Sequence, residues 1–182
     1  MFKDRFLICM VFLLNIFFAQ ISQAEEMKKT TILASKLDGY IFEYALSVTE
    51  YYNSDFTVEE YSFALGAQND KYSHVEDLFI IVGGDAQKVY NFTKWVLAFI
   101  NTCKIERLQY PIDIFDISIE YHNWGSLLGK IYYVSRGNER HGFKKKDIER
   151  IQKKLLEYCQ KQNIYVDTTI PVEINPALGE NR

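Results

Sequence analysis

The sequence predicts an α+β fold: a ferredoxin-like β-α-β-β-α-β sandwich with an extra helix and strand before it. Three observations lead there. Continuous apolar or alternating runs recur between turn residues, two long stretches carry the three-and-four spacing of amphipathic helices, and from Leu78 onward the two kinds follow in split βαβ order.

The elements follow in chain order. In "TTILASKLDGYIFEYALSVTEYY", Leu33, Leu37, Ile41, Tyr44 and Val48 fall at steps of three and four, which predicts an N-terminal helix weakened at Gly39 and ended by Asn53–Asp55. In "FTVEEYSFALG", Tyr61, Phe63 and Leu65 alternate as a strand that Gly66 stops. "LFIIV", Leu78–Val82, is apolar throughout, as in a strand buried on both faces. Asp85 is positioned to cap a helix whose Val89, Phe92, Val96, Phe99, Ile100 and Cys103 share one side. "IDIFDISIEY" alternates with a slip between Ile114 and Phe115, which reads as a β-bulge. After the turn "HNWGS", "LLGKIYYVS" returns to complete a hairpin, and "RGNERHG" is a loop. "FKKKDIERIQKKLLEYCQKQ" is an amphipathic helix with Ile148, Ile151, Leu155 and Cys159 inward. "IYVDTTIPVEI" alternates from Ile164 to Ile174, with Pro171 restricting it to an edge strand.

The chain start predicts a secretory signal over residues 1–24. Lys3 and Arg5 precede an apolar stretch from Phe6 to Ala19, and Ser22 and Ala24 have the small-residue spacing of a cleavage site. Asn15 interrupts the stretch, and a spanning helix needs about 20 apolar residues. A single domain over 25–182, exported to the periplasm or secreted, is therefore expected. Cys103 and Cys159 remain after removal of Cys9, and in an oxidising compartment two cysteines pair. A bond closing a loop of about 57 residues would contribute roughly 4 kcal/mol by the chain-entropy model. Right-handed crossovers would run both helices the same way, bringing both cysteines to one end.

The motifs exclude more than they assign. Gly83-Gly84 between strand and helix suggests a phosphate loop, but no Lys-Ser or Lys-Thr follows, and Ala86 and Gln87 break the dinucleotide pattern. Asp85 also puts a negative charge where a phosphate would sit. No cofactor and no metal site is expected. The sequon Asn91–Thr93 falls inside a helix and is taken as coincidence. His74 lies beside Glu76 and Asp77 and near Asp70, an arrangement that an exported hydrolase could use; His122 and His141 are ordinary by sequence. A third possibility is a ligand-binding domain, with an aromatic groove between the N-terminal helix and the sheet.

Two surfaces stand out. Tyr121, His122, Asn123 and Trp124 sit at a hairpin tip and have the residue types of binding contacts. A structural corner with Trp124 packed beneath it is the plainer reading. Between Glu25 and Asp85 there are 12 acids and 4 bases, a net of −8, whereas Lys130 to Lys161 holds 10 bases and 4 acids, a net of +6. Lys144, Lys145, Lys146 and Arg150 concentrate that basic charge. Within "RGNERHGFKKKDIERIQKK", Phe143 is the one aromatic and Asp147 and Glu149 interrupt the charge, so nucleic acid is not the expected partner. The functional expectation is a non-catalytic interaction protein of the periplasm, a structural accessory, adaptor or inhibitor-type binder. Its partner would be a protein of the cell envelope, with peripheral contact to anionic envelope components.

Overall fold

The computed structural model describes residues 27–38, 41–69, 78–103 and 105–172. The signal expected over 1–24 lies outside them, as do Asp70, His74, Glu76 and Asp77 of the hydrolase reading. The described chain is α+β. Strands β1 (Met27–Asp38), β2 (Ile41–Tyr52), β3 (Val58–Ala67) and β4 (Phe79–Gly84) form one antiparallel sheet in chain order. Helix α1 (Ala86–Thr102) follows. Strands β5 (Tyr110–Ile112), β6 (Ile117–Asn123), β7 (Lys130–Arg136) and β8 (Glu139–Phe143) form a second sheet, again in chain order, and helix α2 (Lys145–Lys161) follows. The ferredoxin-like arrangement is not recovered. Each strand takes its neighbour in sequence as partner, so two meanders form instead of one interleaved sheet.

The described residues group into two compact units, 27–29 with 50–60 and 30–49 with 61–172. In the smaller unit, Asn53 organises a turn. Its side-chain oxygen accepts from the Asp55 and Thr57 amides, each at 3.0 Å, and Phe56 adopts a left-handed φ of 60°. The Glu50 carboxylate accepts from Tyr52 and lies 3.9 Å from the Lys29 ammonium.

The larger unit holds the core. The predicted N-terminal helix is instead the hairpin β1–β2. Leu46, Val48 and Glu50 are buried while Ser47 and Thr49 between them are half-buried, which is the two-residue period of a strand. The helical spacing from Leu33 to Val48 is a coincidence of two registers on residues rich in β-branched Thr, Ile and Val. The expected bulge at Ile114 is a 3-10 turn, Asp113–Phe115, closed by Asp116 at φ 54°; it buries Phe115 and leaves Ile114 67% exposed. The expected loop at Arg136–Gly142 contains β8, joined to β7 by a turn in which Gly137 takes φ 56°. The expected edge strand at the C-terminus is irregular over 164–172, and its last two residues lie outside the described ones.

Asp85 caps α1 as expected, accepting from the Lys88 amide at 2.7 Å. Each helix packs its aromatic residues on the other meander. Trp95 and Phe99 of α1 lie 6.1 and 6.2 Å from the Tyr110 ring of β5, and Phe92 meets Phe115 edge-on at 5.6 Å. Tyr158 of α2 meets Tyr61 and Phe63 of β3 edge-on at 6.3 and 6.0 Å. Val89, Phe92, Val96, Phe99, Ile151 and Leu155 are fully buried, each contributing roughly 1.5–3 kcal/mol by removal from water.

The helices run antiparallel. Lys145 at the start of α2 bonds Asn101 at the end of α1, Gln152 bonds Thr93 at mid-length, and Asp167 beyond α2 bonds Gln87 at the start of α1. This corrects the expected disulfide. Cys103 lies ten residues beyond Thr93 and Cys159 seven residues beyond Gln152 in the opposite direction. At 1.5 Å per residue they are roughly 25 Å apart along the axis, far outside disulfide reach. Both thiols are free and buried. Burial raises the Cys103 thiol and pushes that of Cys159 to about 11.

Candidate functional site

Strand alternation divides the second sheet into two faces. Ile117, Ile119, Tyr121, Tyr132, Val134 and Phe143 are buried in the core. Glu120 and His122 of β6, Tyr133 of β7, and Arg140 and Gly142 of β8 belong to the opposite face. The register sets Glu120 opposite Tyr133, Tyr133 opposite Gly142, and Arg140 opposite Ser135.

Gly142 permits the packing of this face. A Cβ there would fall 2.6 Å from Cγ2 of Ile131 and 2.9 Å from Cε1 of Tyr133. With no side chain at this position, the Tyr133 ring leans across β8 and the Arg140 guanidinium stacks on it at 3.7 Å. Nη1 of Arg140 lies 3.2 Å from Oε1 of Glu120, and Nε2 of His122 lies 3.4 Å from the same oxygen. The His122 ring meets Tyr133 edge-on at 5.0 Å and stacks on Trp124 at 6.1 Å. Glu120 is only 8% exposed, whereas Trp124 at the end of β6 is 51% exposed. A sequestered carboxylate thus lies between a cation and an imidazole, and a run of rings extends from Tyr133 through His122 to Trp124. The arrangement presents an amphipathic contact surface.

Beside this face, Pro111, Asp113, Asp116, Ser118 and Ser135 line an open cleft of about 400 Å³. Arg136 braces its edge, donating to the carbonyls of Phe115 at 2.6 Å and Ile80 at 2.9 Å.

Of the residues expected at the hairpin tip, His122, Asn123 and Trp124 are at the end of β6. Tyr121 instead points inward, buried beside Tyr132 at 5.9 Å with Lys130 over its ring. Asn123 is exposed and accepts from the Gly125 amide at 3.3 Å. On α2, Lys145, Lys146 and Arg150 are exposed and Lys144 is half-buried at the helix start. Lys145 is engaged with Asn101 at 3.1 Å and Glu149 at 3.8 Å. Sequence reasoning missed Glu120, Tyr133, Arg140 and Gly142. The signal was the alternation in "ERHGF", hidden while that stretch was taken for a loop. His141, the neighbour of Arg140, is buried against Phe143 and bonded to the Gln68 carbonyl at 2.9 Å.

Among the described residues, no three His, Cys, Asp or Glu side chains are grouped to hold a metal, and no helix is long and apolar enough to cross a membrane. Comparison with protein-family models, with curated proteins and with solved structures returned no match, so function is read from the chain's own chemistry.

Proposed function

We propose that the chain is an exported, non-catalytic interaction protein that engages a protein partner of the cell envelope through the outward face of its second sheet. The observation that carries this reading is the run of contacts from Trp124 through His122 and Tyr133 to Arg140. Trp, Tyr and Arg are the residue types that dominate binding energies when held rigidly, because little side-chain entropy remains to be lost on association. Trp124 offers the exposed anchor and Glu120 fixes the cation behind it. The exposed Lys145, Lys146 and Arg150 of α2 supply the peripheral contact with anionic envelope components, acting on encounter rate more than on affinity.

The test is in-cell crosslinking of the tagged full chain, with co-purified proteins identified by mass spectrometry. Trp124→Ala should lower recovery of the partner about tenfold or more, as loss of a hot-spot anchor does, while thermal unfolding stays unchanged. Equal recovery from Trp124→Ala would refute the assignment of this face.

A further inference from the structure

The second sheet holds one carboxylate oxygen between a guanidinium and an imidazole. Oε1 of Glu120 lies 3.2 Å from Nη1 of Arg140 and 3.4 Å from Nε2 of His122. Nε2 of His122 is closed off from solvent and makes no hydrogen bond, so that carboxylate is the charged group it faces. The imidazole is enclosed by Tyr133 edge-on at 5.0 Å and by Trp124 stacked at 6.1 Å.

The charged and titratable groups around it come from each neighbouring element. Glu120 lies on its own strand, Tyr133 on β7 and Arg140 on β8, where the guanidinium sits 3.7 Å from the Tyr133 ring. At the strand end, Lys130 is opposite Asn123 in register with its ammonium over Tyr121, and Glu106 accepts from the Asn123 amide at 3.1 Å.

Charge counting separates two states of this cluster. With His122 neutral, Glu120 and Arg140 cancel. With His122 protonated, two cations share one oxygen and the net charge is positive. The three side chains are between 10% and 25% exposed, which leaves little water to screen that charge. Histidine is the side chain whose ordinary range puts such a change between about pH 5 and 8. The added charge appears beside Trp124, the exposed ring of this face.

We propose that His122 is a proton-operated element of this face: uptake of one proton pairs it with Glu120 in competition with Arg140 and makes the surface around Trp124 positive. What it regulates rests on the proposed role of that face, namely the hold on a protein partner that presents acidic residues there. The proton uptake itself needs no partner, so the two readings fail separately.

The experiment follows the emission of Trp124 in the full chain against pH. An imidazolium quenches a neighbouring indole more than an imidazole does, because it is the better electron acceptor. Emission should fall from about pH 8 to about pH 5. The change should vanish in His122→Gln, and also in Trp124→Phe, which leaves Trp95 as the only indole. Removing the anion with Glu120→Gln should move the transition to lower pH, and removing the cation with Arg140→Gln should move it to higher pH. The His122 ring resonances of the unaltered chain, followed by NMR, report the same transition if a variant fails to fold. Emission and ring resonances that stay flat across that range, or a transition that neither Glu120→Gln nor Arg140→Gln moves, would overturn the proposal. Cells crosslinked at low external pH should then yield about two- to fivefold more partner than at neutral pH, the effect of one solvent-facing charge, and His122→Gln should lose the difference. Equal recovery alongside an intact optical transition would overturn the regulatory role while the proton uptake stands.

Discussion

The two halves of the molecule share one order of elements and differ in what they face outward. Residues 27–102 give four antiparallel strands and a 17-residue helix; residues 110–161 give four strands and a 17-residue helix as well, with the 3-10 turn at Asp113–Phe115 and a single helical turn at Gly125–Leu128 inserted between strands. The first meander is built from strands of 12, 12, 10 and 6 residues, the second from strands of 3, 7, 7 and 5. Across β1 and β2, short polar pairs are matched: Thr30 with Thr49 at 3.0 Å, and Lys36 with Glu43. The second sheet carries Glu120, His122, Tyr133 and Arg140 instead. The halves show no repeated sequence, because a meander needs only alternation and turns, and many sequences supply both. Inward positions are held to apolar residues by the shared core. The outward positions escape that demand, and there the second half has accumulated rings and charges.

The largest test of this comparison concerns the core that joins the halves. Phe99 of α1 is fully buried and reaches Tyr110 of the other meander. Phe99→Ala should destabilise the protein by about 3–5 kcal/mol, measured by urea unfolding, with both halves lost in one transition. Two separated transitions would show that the halves fold independently. A smaller effect is expected at Gly142. Gly142→Ala drives a methyl group into Ile131 and Tyr133, which should cost about 1–3 kcal/mol. It should also reduce partner recovery by displacing Tyr133 and Arg140. Stability lost with recovery unchanged would separate that face from function.

The mildest test is alkaline. Burial is the first cause that raises the Tyr44 phenol from 10.0 to about 12, with the Asp147 carboxylate adding to it, and burial raises the Cys159 thiol from 9.0 to about 11. Both shifts favour the neutral form in the folded state. Their stabilisation is therefore complete below pH 9, and declines as pH rises through about 11 for the thiol and about 12 for the phenol. Circular dichroism against pH should show unfolding develop across that window, and Tyr44→Phe should remove its upper part. The same thiols should resist alkylation in the native protein and react once it is unfolded. A chain that yields no thiol until reduced would instead contain the disulfide.

Much of the fold was legible wherever one period dominated. The α1 stripe from Val89 to Phe99, the Asp85 cap, the α2 stripe and the β6–β7 hairpin were all predicted and are all present. The failures arose where two patterns coincided. Asp38-Gly39 has the composition of a hairpin turn, but the residues around it also satisfy helical spacing. The alternation from Ile164 onward is a sound strand pattern that found no strand partner. At the candidate site, Trp124 and His122 were visible as unusual residues, while Glu120, Tyr133 and Arg140 were ordinary until the register aligned them.

Local chemistry alone determined which residues of the two long helices turn inward, and where basic charge collects. These depend on near neighbours, and the sequence records neighbours directly. Tertiary structure decided how strands pair, that the helices run antiparallel, and hence that Cys103 and Cys159 stay apart. It also brought Arg140 to Glu120 and Gln87 to Asp167, pairs separated by 20 and 80 residues. Those outcomes depend on the relative free energies of whole packed arrangements, and the same local patterns are compatible with several of them.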